Sequence, residues 1–224
     1  MCGIAGLVRR PQASGADLAA LSEKMAARLA HRGPDGAGVW TDSEGAVALA
    51  HRRLAIIDLS PTGAQPMSDA TGHFSITYNG EIYNYRELRA GLESKGVRFR
   101  GHSDTEVLVE LYAREGAECL QRLNGIFALA IWDRDRRELF LARDALGVKP
   151  LYFSEGEQAF AFASELKALL PAIARRTLDA PALHRYLTYL WCPGDGTPLQ
   201  EVRRLGPGEA MVVCDGRIAR RFRW

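Results

Sequence analysis

Short apolar runs separated by turn-forming residues constrain the fold of this chain most, because such runs favour antiparallel strands. In the second half, four runs alternate with polar turns, as in a meander: residues 126–132, 138–142, 151–153 and 159–163. The first half carries five similar runs: residues 2–8, 39–41, 47–51, 54–58 and 74–78. Near the end, two further runs flank Asp215-Gly216, a dipeptide typical of two-residue hairpins: residues 209–213 and 217–222.

Helical periodicity predicts helices between these strands, at residues 17–29, 81–92, 103–114, 165–170 and 180–190. The first of them follows a turn predicted at Ser14 and Gly15. The third begins with Ser103 and Glu106, whose spacing fits a capping box. Strands and helices together predict an α+β protein.

Composition excludes several classes of protein. The 224 residues are 47% hydrophobic and can bury one large core, so we expect a single globular domain. The 29 basic and 27 acidic residues are dispersed, which argues against a nucleic-acid partner. The longest apolar run, residues 126–132, is far shorter than the ~18 residues that cross a bilayer. The four cysteines show neither zinc spacing nor the density of a disulfide scaffold, which predicts no metal site and a reducing cytoplasm.

Cys2 becomes the amino terminus if Met1 is removed, as initiator methionine normally is before a small residue. One residue would then carry a thiol with a pKa near ~8.5 and an α-amine with a pKa near ~7.7 to 8.0. The amine could accept the proton of its own thiol, so that no histidine base is needed. The alternative is a small buried cysteine without a chemical role.

Asn79 and Gly80 follow the strand predicted at residues 74–78. Such a dipeptide is typical of a hairpin turn, but residues 81–92 have helical spacing and no second alternating run. The dipeptide would then lie at a strand-to-helix corner, where an amide and an exposed N–H can stabilise an oxyanion. Local sequence favours the two interpretations about equally.

Four other charged residues are candidates for substrate binding or support. Arg53 could recognise a carboxylate bidentately, although a surface ion pair is the commoner role of such an arginine. Asp104 is explained by the helix dipole, unless it points away from its helix toward an ammonium group. Arg32 and Asp35 lie in a loop dense in turn formers, and local sequence favours a plain turn over a loop that supports a site.

Several motifs occur in order along nearly the whole chain. They are Cys2-Gly3-Ile4, His31-Arg32-Gly33-Pro34-Asp35, Arg53-Leu54-Ala55-Ile56-Ile57-Asp58, Asn79-Gly80-Glu81-Ile82-Tyr83-Asn84, Ser103-Asp104-Thr105-Glu106, Arg143-Asp144 with Gly147-Val148-Lys149-Pro150-Leu151-Tyr152, and Ser164-Glu165-Leu166-Lys167-Ala168-Leu169. Together they resemble the glutaminase domain of glutamine-hydrolysing asparagine synthetases. These enzymes are class II glutamine amidotransferases within the amino-terminal-nucleophile (Ntn) hydrolases.

The resemblance implies a fold, a reaction and a set of site residues. The fold is an αββα four-layer sandwich of two mostly antiparallel sheets, spanning residues 2–224. The reaction is hydrolysis of glutamine to glutamate and ammonia by Cys2, with Asn79 and Gly80 as oxyanion hole. By the same resemblance Arg53 binds the glutamine α-carboxylate and Asp104 the α-ammonium, and the pocket is also lined by Glu81, Ile56 and Ile57.

The resemblance also implies partners. Ammonia would pass to an ATP-dependent synthetase domain, in cis or in trans, that amidates aspartate or a related acceptor. The Ser-Gly-Gly-x-Asp-Ser loop of that domain does not occur here, so we expect ATP and Mg²⁺ to belong to a domain outside this chain and no cofactor within it. We expect the chain to be a domain excised from a longer protein, in preference to a natural stand-alone domain. A homodimer is left open. The alternatives are an inactive regulatory or docking module and the glutaminase half of another class II amidotransferase.

Overall fold

A computed structural model describes residues 1–13 and 17–224 of the chain. The turn predicted at Ser14 and Gly15 lies outside the described residues. The strands are β1 (Gly3–Arg9), β2 (Gly36–Thr41), β3 (Val47–Arg53), β4 (Met67–Ser68), β5 (Phe74–Ile82), β6 (Gly125–Asp133), β7 (Glu138–Arg143), β8 (Tyr152–Glu155), β9 (Ala159–Ala163), β10 (Arg203–Arg204), β11 (Glu209–Cys214) and β12 (Arg217–Arg223). The helices are α1 (Leu18–Ala27), α2 (Tyr85–Glu93), α3 (Asp104–Glu115), α4 (Leu166–Leu169) and α5 (Ala180–Tyr189).

The strands form two six-stranded sheets whose neighbouring strands are all antiparallel. The first sheet has the order β10-β8-β9-β1-β3-β2, and the second has the order β12-β11-β7-β6-β5-β4. The predicted meander is therefore wrong in one respect, because β6 and β7 belong to the second sheet whereas β8 and β9 belong to the first. The chain changes sheets after Arg143, in a loop whose N–H groups at Leu146, Val148 and Lys149 donate to the Asp144 carboxylate.

Three apolar clusters define four layers. The cluster between the sheets contains side chains of both, including Ile4, Leu49, Trp132 and Leu141. Helices α1 and α4 cover the outer face of the first sheet, where Met25 and other helical side chains meet Leu7 and its neighbours. Helices α2 and α3 cover the outer face of the second sheet. This arrangement confirms the predicted αββα sandwich.

Local signals for helix starts and for the last hairpin are confirmed. The Asp17 and Ser103 side chains accept N–H bonds at the beginnings of α1 and α3. The capping box predicted at Ser103 and Glu106 is formed only in its Ser103 half, because the Glu106 carboxylate accepts from the Arg100 and Gly101 N–H groups. Asp215 and Gly216 both have positive φ, 50° and 68°, as a type I′ turn between β11 and β12 requires. Among the helices of the described residues, none is both long and apolar enough to cross a bilayer.

The strand predicted at residues 54–58 is wrong, since the chain leaves the first sheet at Arg53 and continues as a loop. The backbone of this loop bonds to side chains instead of to a neighbouring strand: the Ala55 N–H donates to the Asp35 carboxylate at 2.9 Å. Ile56 is 68% exposed, so the apolar run does not enter the core. Arg53 consequently ends a strand instead of standing at the head of one.

The interpretations of Asn79 and Gly80 as a hairpin turn or a strand-to-helix corner are both wrong. Strand β5 runs through the dipeptide to Ile82, and Asn79 and Gly80 pair with Ala128 and Phe127 of β6. Helix α2 therefore begins at Tyr85, later than predicted. The uninterrupted pairing with β6 outweighs the local turn preference of the dipeptide.

Candidate active site

All the site residues predicted from the sequence line one pocket. The pocket lies where the segment before β1, the end of β3, the end of β5 and the start of α3 come together. The residues concerned are Cys2, Arg53, Ile56, Ile57, Asn79, Gly80, Glu81 and Asp104. The pairing of β1 with β3, in which Gly3 is opposite Arg52, places the start of the chain beside the end of β3.

The Cys2 sulfur is held by the loop that follows β3. Its Sγ atom accepts a hydrogen bond from the Leu54 N–H at 3.3 Å and lies 3.5 Å from the Leu54 carbonyl oxygen. Cys2 is half-buried and its thiol is free. Met1 precedes it in the chain and is 56% exposed. The nucleophile candidate is therefore both positioned and accessible from the pocket.

The loop containing Arg32 and Asp35 contacts the site directly. The Arg32 Nε atom donates to the Cys2 carbonyl oxygen at 2.8 Å, and its Nη1 atom pairs with Glu165 at 2.9 Å. Burial alone would raise the pKa of Glu165, but hydrogen bonds from Arg32, His31 and Lys167 lower it to about 2. The plain-turn interpretation favoured by the local sequence is thus incomplete, because the turn also fixes the segments around Cys2 and Ala55.

The free edge of β5 directs the Gly80 N–H away from β6 and toward the pocket. Alternate residues of an antiparallel strand direct their N–H groups to the same side. On that side, the Tyr78 N–H donates to Gln65 at 2.7 Å, and the Ile82 N–H donates to Asp104 at 3.1 Å. Gly80 lies between them. A side chain there would clash, since a Cβ atom would lie 2.4 Å from the Ile126 carbonyl oxygen.

The Asn79 side chain offers a second donor. Asn79 is 1% exposed, and its Nδ2 atom is buried without a hydrogen-bond partner among the described residues. A buried amide donor without a protein partner costs about 1–3 kcal/mol, and an acceptor on a molecule bound in the pocket would satisfy it. Asn79 and the Gly80 N–H therefore form a pair of donors in the pocket that contains Cys2.

Strand β5 is also fixed from the first sheet through His51. The His51 Nε2 atom lies 3.1 Å from the Tyr78 carbonyl oxygen, which can only accept, so Nε2 carries the proton. Burial lowers the pKa of His51 to about 4, and the ring is neutral at neutral pH. His51 thus holds the pocket-lining strand in place without adding charge to the site.

Asp104 points away from its helix, as a binding role for this residue requires. Its Oδ2 atom accepts from the Tyr78 hydroxyl at 2.8 Å and from the Ile82 N–H at 3.1 Å. Asp104 is 5% exposed, and this burial raises the pKa of its carboxyl above the usual value. A buried carboxylate of this kind favours a cationic partner in the pocket.

Arg53, which lines the same pocket, is held by the loop after β3. Its guanidinium donates to the Asp58 carbonyl oxygen and, at 3.1 Å, to the Ser60 carbonyl oxygen. Burial would raise the pKa of Asp58, but hydrogen bonds from Ser60, the His102 N–H and Thr62 lower it well below the usual value. This bonded loop fixes a cation in the pocket that also contains the anion at Asp104.

Sequence reasoning missed other residues that line the same pocket, notably Gln65, Tyr78 and Lys149. Tyr78 looked like an ordinary strand residue, and Gln65 lies in a stretch without periodicity. Lys149 lies in the charged loop that interrupts the later strands, and that interruption was the available signal. Within residues 1–13 and 17–224, no group of three or more His, Cys, Asp or Glu side chains is arranged to hold a metal ion.

A half-buried thiol, two N–H donors that line the same pocket, a cation and an anion can together bind and cleave a small zwitterionic amide. The thiol would attack the amide carbon, and the donors would stabilise the oxyanion that forms. The charges of Arg53 and Asp104 suit an α-carboxylate and an α-ammonium, respectively. The geometry therefore supports acyl-transfer chemistry on an amino-acid amide.

Known proteins resemble this chain in sequence and in fold. The family described as glutamine amidotransferase domain matches residues 1–224. Asparagine synthetase (glutamine-hydrolyzing) 1 of Bacillus subtilis is 39% identical over 95% of this chain and 33% of its own length. A putative asparagine synthetase (glutamine-hydrolyzing) of Mycobacterium tuberculosis is 38% identical over 93% of this chain and 34% of its own length.

The fold is also found in a solved structure. Glutamine phosphoribosylpyrophosphate amidotransferase of B. subtilis superposes with a TM-score of 0.73 at 24% identity, covering 99% of this chain and 49% of that chain. The two asparagine synthetases are about three times as long as the segment they share with this chain. The match over the full chain and the identities near two fifths show that the chain belongs to the glutamine amidotransferase domain family.

Proposed function

We propose that this domain hydrolyses glutamine to glutamate and ammonia, with Cys2 as nucleophile once Met1 has been removed. The observation that carries the proposal is the buried Asn79 Nδ2 atom, which has no hydrogen-bond partner among residues 1–13 and 17–224 and belongs to a residue that lines the same pocket as Cys2. Membership of the glutamine amidotransferase domain family supports the identity of the substrate.

In the proposed complex, the Arg53 guanidinium binds the α-carboxylate of glutamine and the Asp104 carboxylate binds its α-ammonium. Glu81, Ile56 and Ile57 line the rest of the pocket. Holding the amino-acid group at both charges fixes the side-chain amide beside the Cys2 sulfur. The bonds that already hold Arg53 and Asp104 in place reduce the ordering that binding requires.

The reaction proceeds in two stages. The Cys2 α-amine accepts the thiol proton, and the sulfur forms a bond to the side-chain carbonyl carbon of glutamine. Asn79 Nδ2 and the Gly80 N–H stabilise the oxyanion. Collapse of the tetrahedral intermediate breaks the C–N bond, and the Cys2 α-ammonium gives its proton to the leaving nitrogen. Ammonia departs, and a glutamyl thioester remains on Cys2. Water then attacks the thioester, which releases glutamate and restores the thiol.

The proposed destination of the ammonia is an ATP-dependent synthetase domain that amidates aspartate or a related acceptor. Two relatives named as glutamine-hydrolyzing asparagine synthetases support it, and this chain spans about one third of their length. ATP and Mg²⁺ would serve that second reaction, and the proposed hydrolysis uses neither. The four free cysteines fit a reducing compartment such as the cytoplasm.

Labelling of the amino terminus tests the proposal against an inactive module with the same fold. The purified chain is treated with a glutamine analogue that carries an electrophilic diazoketone, and its mass is then measured. We expect the mature mass to lack Met1 and one adduct to map to Cys2. Cys214→Ser, which removes a thiol outside the pocket, is the matched control and should label equally. Retained Met1, or no adduct at Cys2, would support the inactive module.

A further inference from the structure

Lys149 is an almost buried cation at the wall of the pocket that contains Cys2. It is 7% exposed, and it lines the pocket together with Met1, Cys2 and Glu81. Its Nζ atom lies 3.0 Å from the Met1 sulfur, the hydrogen-bond partner that the described residues provide. A thioether neutralises no charge, so the ammonium faces the beginning of the chain without a paired carboxylate.

The loop around Lys149 fixes the position of this side chain. The Lys149 N–H donates to the Asp144 carboxylate at 3.0 Å, and the Lys149 carbonyl oxygen accepts from Arg143 at 2.6 Å. Pro150 follows and restricts the backbone further. Burying the Lys149 ammonium against the terminal segment costs free energy unless the charge interacts favourably with another group, because burial penalises an ammonium.

We infer that Lys149 tunes the Cys2 thiol and α-amine, favouring the thiolate and the neutral amine once Met1 is gone. A nearby positive charge lowers the pKa of a thiol, since it stabilises the thiolate. It also lowers the pKa of an α-amine, because two cations repel each other. Both effects prepare Cys2 for attack at neutral pH. Lys149 acts through Cys2, and it is therefore a positioning residue for the reaction.

Other charges act on the same atoms and must be weighed. Arg32 holds the Cys2 carbonyl oxygen and adds positive charge to the site, whereas Glu81 and Asp104 add negative charge. Burial and Arg32 lower the pKa of Lys149, while Asp144, Cys2 and Glu81 raise it. Arg53 also lines the pocket, donates to the Ser60 and Asp58 carbonyl oxygens, and adds further positive charge. Lys149 differs from it in contacting Met1, the residue before Cys2, so its removal changes the charge beside the first residues of the chain.

The rate of Cys2 alkylation by iodoacetamide, followed against pH by peptide mass spectrometry, tests this inference. Lys149→Met keeps the length of the side chain and removes its charge, and Lys149→Gln is a second neutral variant. We expect both to shift the Cys2 profile upward by about one pH unit, which is about tenfold slower alkylation near neutral pH. Lys149→Arg should restore the wild-type profile. Lys95→Met, which removes an exposed lysine outside the pocket, should leave it unchanged.

Two outcomes would overturn the inference. One is an unshifted pH profile of Cys2 alkylation in the neutral variants. If their KM for glutamine rises while that profile is unshifted, Lys149 binds substrate instead. The other is a Lys149→Arg variant that behaves like Lys149→Met. The Cys214 profile in the same digests reports whether each variant is folded. The inference rests on the proposed function only for the identity of the nucleophile. Because alkylation needs no glutamine, a failure of the role of Lys149 can be distinguished from a failure of the proposed glutaminase function.

Discussion

The Arg32 Nε atom donates a 2.8 Å hydrogen bond to the Cys2 carbonyl oxygen, although 30 residues separate them in sequence. The same guanidinium pairs with Glu165 at the beginning of α4. Arg32 therefore links the residue before β1 to the segment that follows β9, the strand paired with β1. The orientation of the Cys2 peptide depends on this link as well as on the loop after β3.

Glu165→Gln should weaken the link in a pH-dependent manner. The folded-state pKa of Glu165 is about 2, below the ordinary value of 4.5, so its ionic stabilisation is complete above pH 4.5 and is lost as the pH falls toward 2. We expect the free energy of unfolding to fall by about 1 kcal/mol at neutral pH, with a smaller difference near pH ~3. Urea unfolding measures both values. Glu115→Gln, at an exposed ion pair, is the control, and equal stability of Glu165→Gln and wild type at neutral pH would contradict the account.

Asp104→Asn should stabilise the fold while weakening substrate binding. Burial raises the pKa of Asp104, so its contribution to stability falls as the pH rises through the folded-state pKa, and the penalty remains at neutral pH. An asparagine oxygen can still accept from Tyr78 and Ile82. We expect a higher Tm at neutral pH together with a higher KM for glutamine. A lower Tm, or an unchanged KM, would count against the assigned role.

Asn79→Ala should leave glutamine binding nearly intact and remove most turnover. Loss of one oxyanion donor typically costs about 10²–10³ in kcat, because the donor acts on the transition state. Steady-state glutaminase kinetics, with KM and kcat resolved, measure this effect. Asn84→Ala removes an asparagine that instead bonds Arg122 and Asn124, and it should keep normal turnover. Near-normal kcat in Asn79→Ala would remove Asn79 from the oxyanion hole.

Gly80→Ala and Gly91→Ala should change stability in opposite directions. At Gly80 a Cβ atom would lie 2.4 Å from the Ile126 carbonyl oxygen, so β5 or β6 must shift. At Gly91, within α2, nothing lies within 4 Å of a new Cβ atom, and alanine is the better helix former by about 1 kcal/mol. We expect Tm to fall for the first variant and to rise for the second. A stable, fully active Gly80→Ala enzyme would show that the strand tolerates a side chain there.

Much of the fold followed from local patterns. The alternating apolar runs at β6, β7 and β9 predicted strands because their side chains must reach a core, and all three are buried in it. Ser103 predicted the start of α3 because an unpaired N–H at a helix start needs an acceptor. The layering itself came from the resemblance, since local patterns do not specify which strands share a sheet.

The errors arose where distant partners decide the structure. Residues 54–58 have the apolar character of a strand, but Asp35 and Cys2 bind their backbone in place of a neighbouring strand. Asn79 and Gly80 have a turn preference, but pairing with β6 extends β5 through them. No local rule contains these contacts. Lys149 was missed for the same reason, since its proximity to Met1 depends on the crossing between the two sheets.

If Cys2 is the nucleophile, the hydrolysis of glutamine depends on its thiol. Glutamate release from glutamine is measured for the chain with Met1 removed and for Cys2→Ala, with Cys214→Ser as a matched control that retains the pocket. The account predicts turnover in the wild type and in Cys214→Ser, and no enzymatic turnover in Cys2→Ala. Equal glutamate release from the wild type and Cys2→Ala would contradict it.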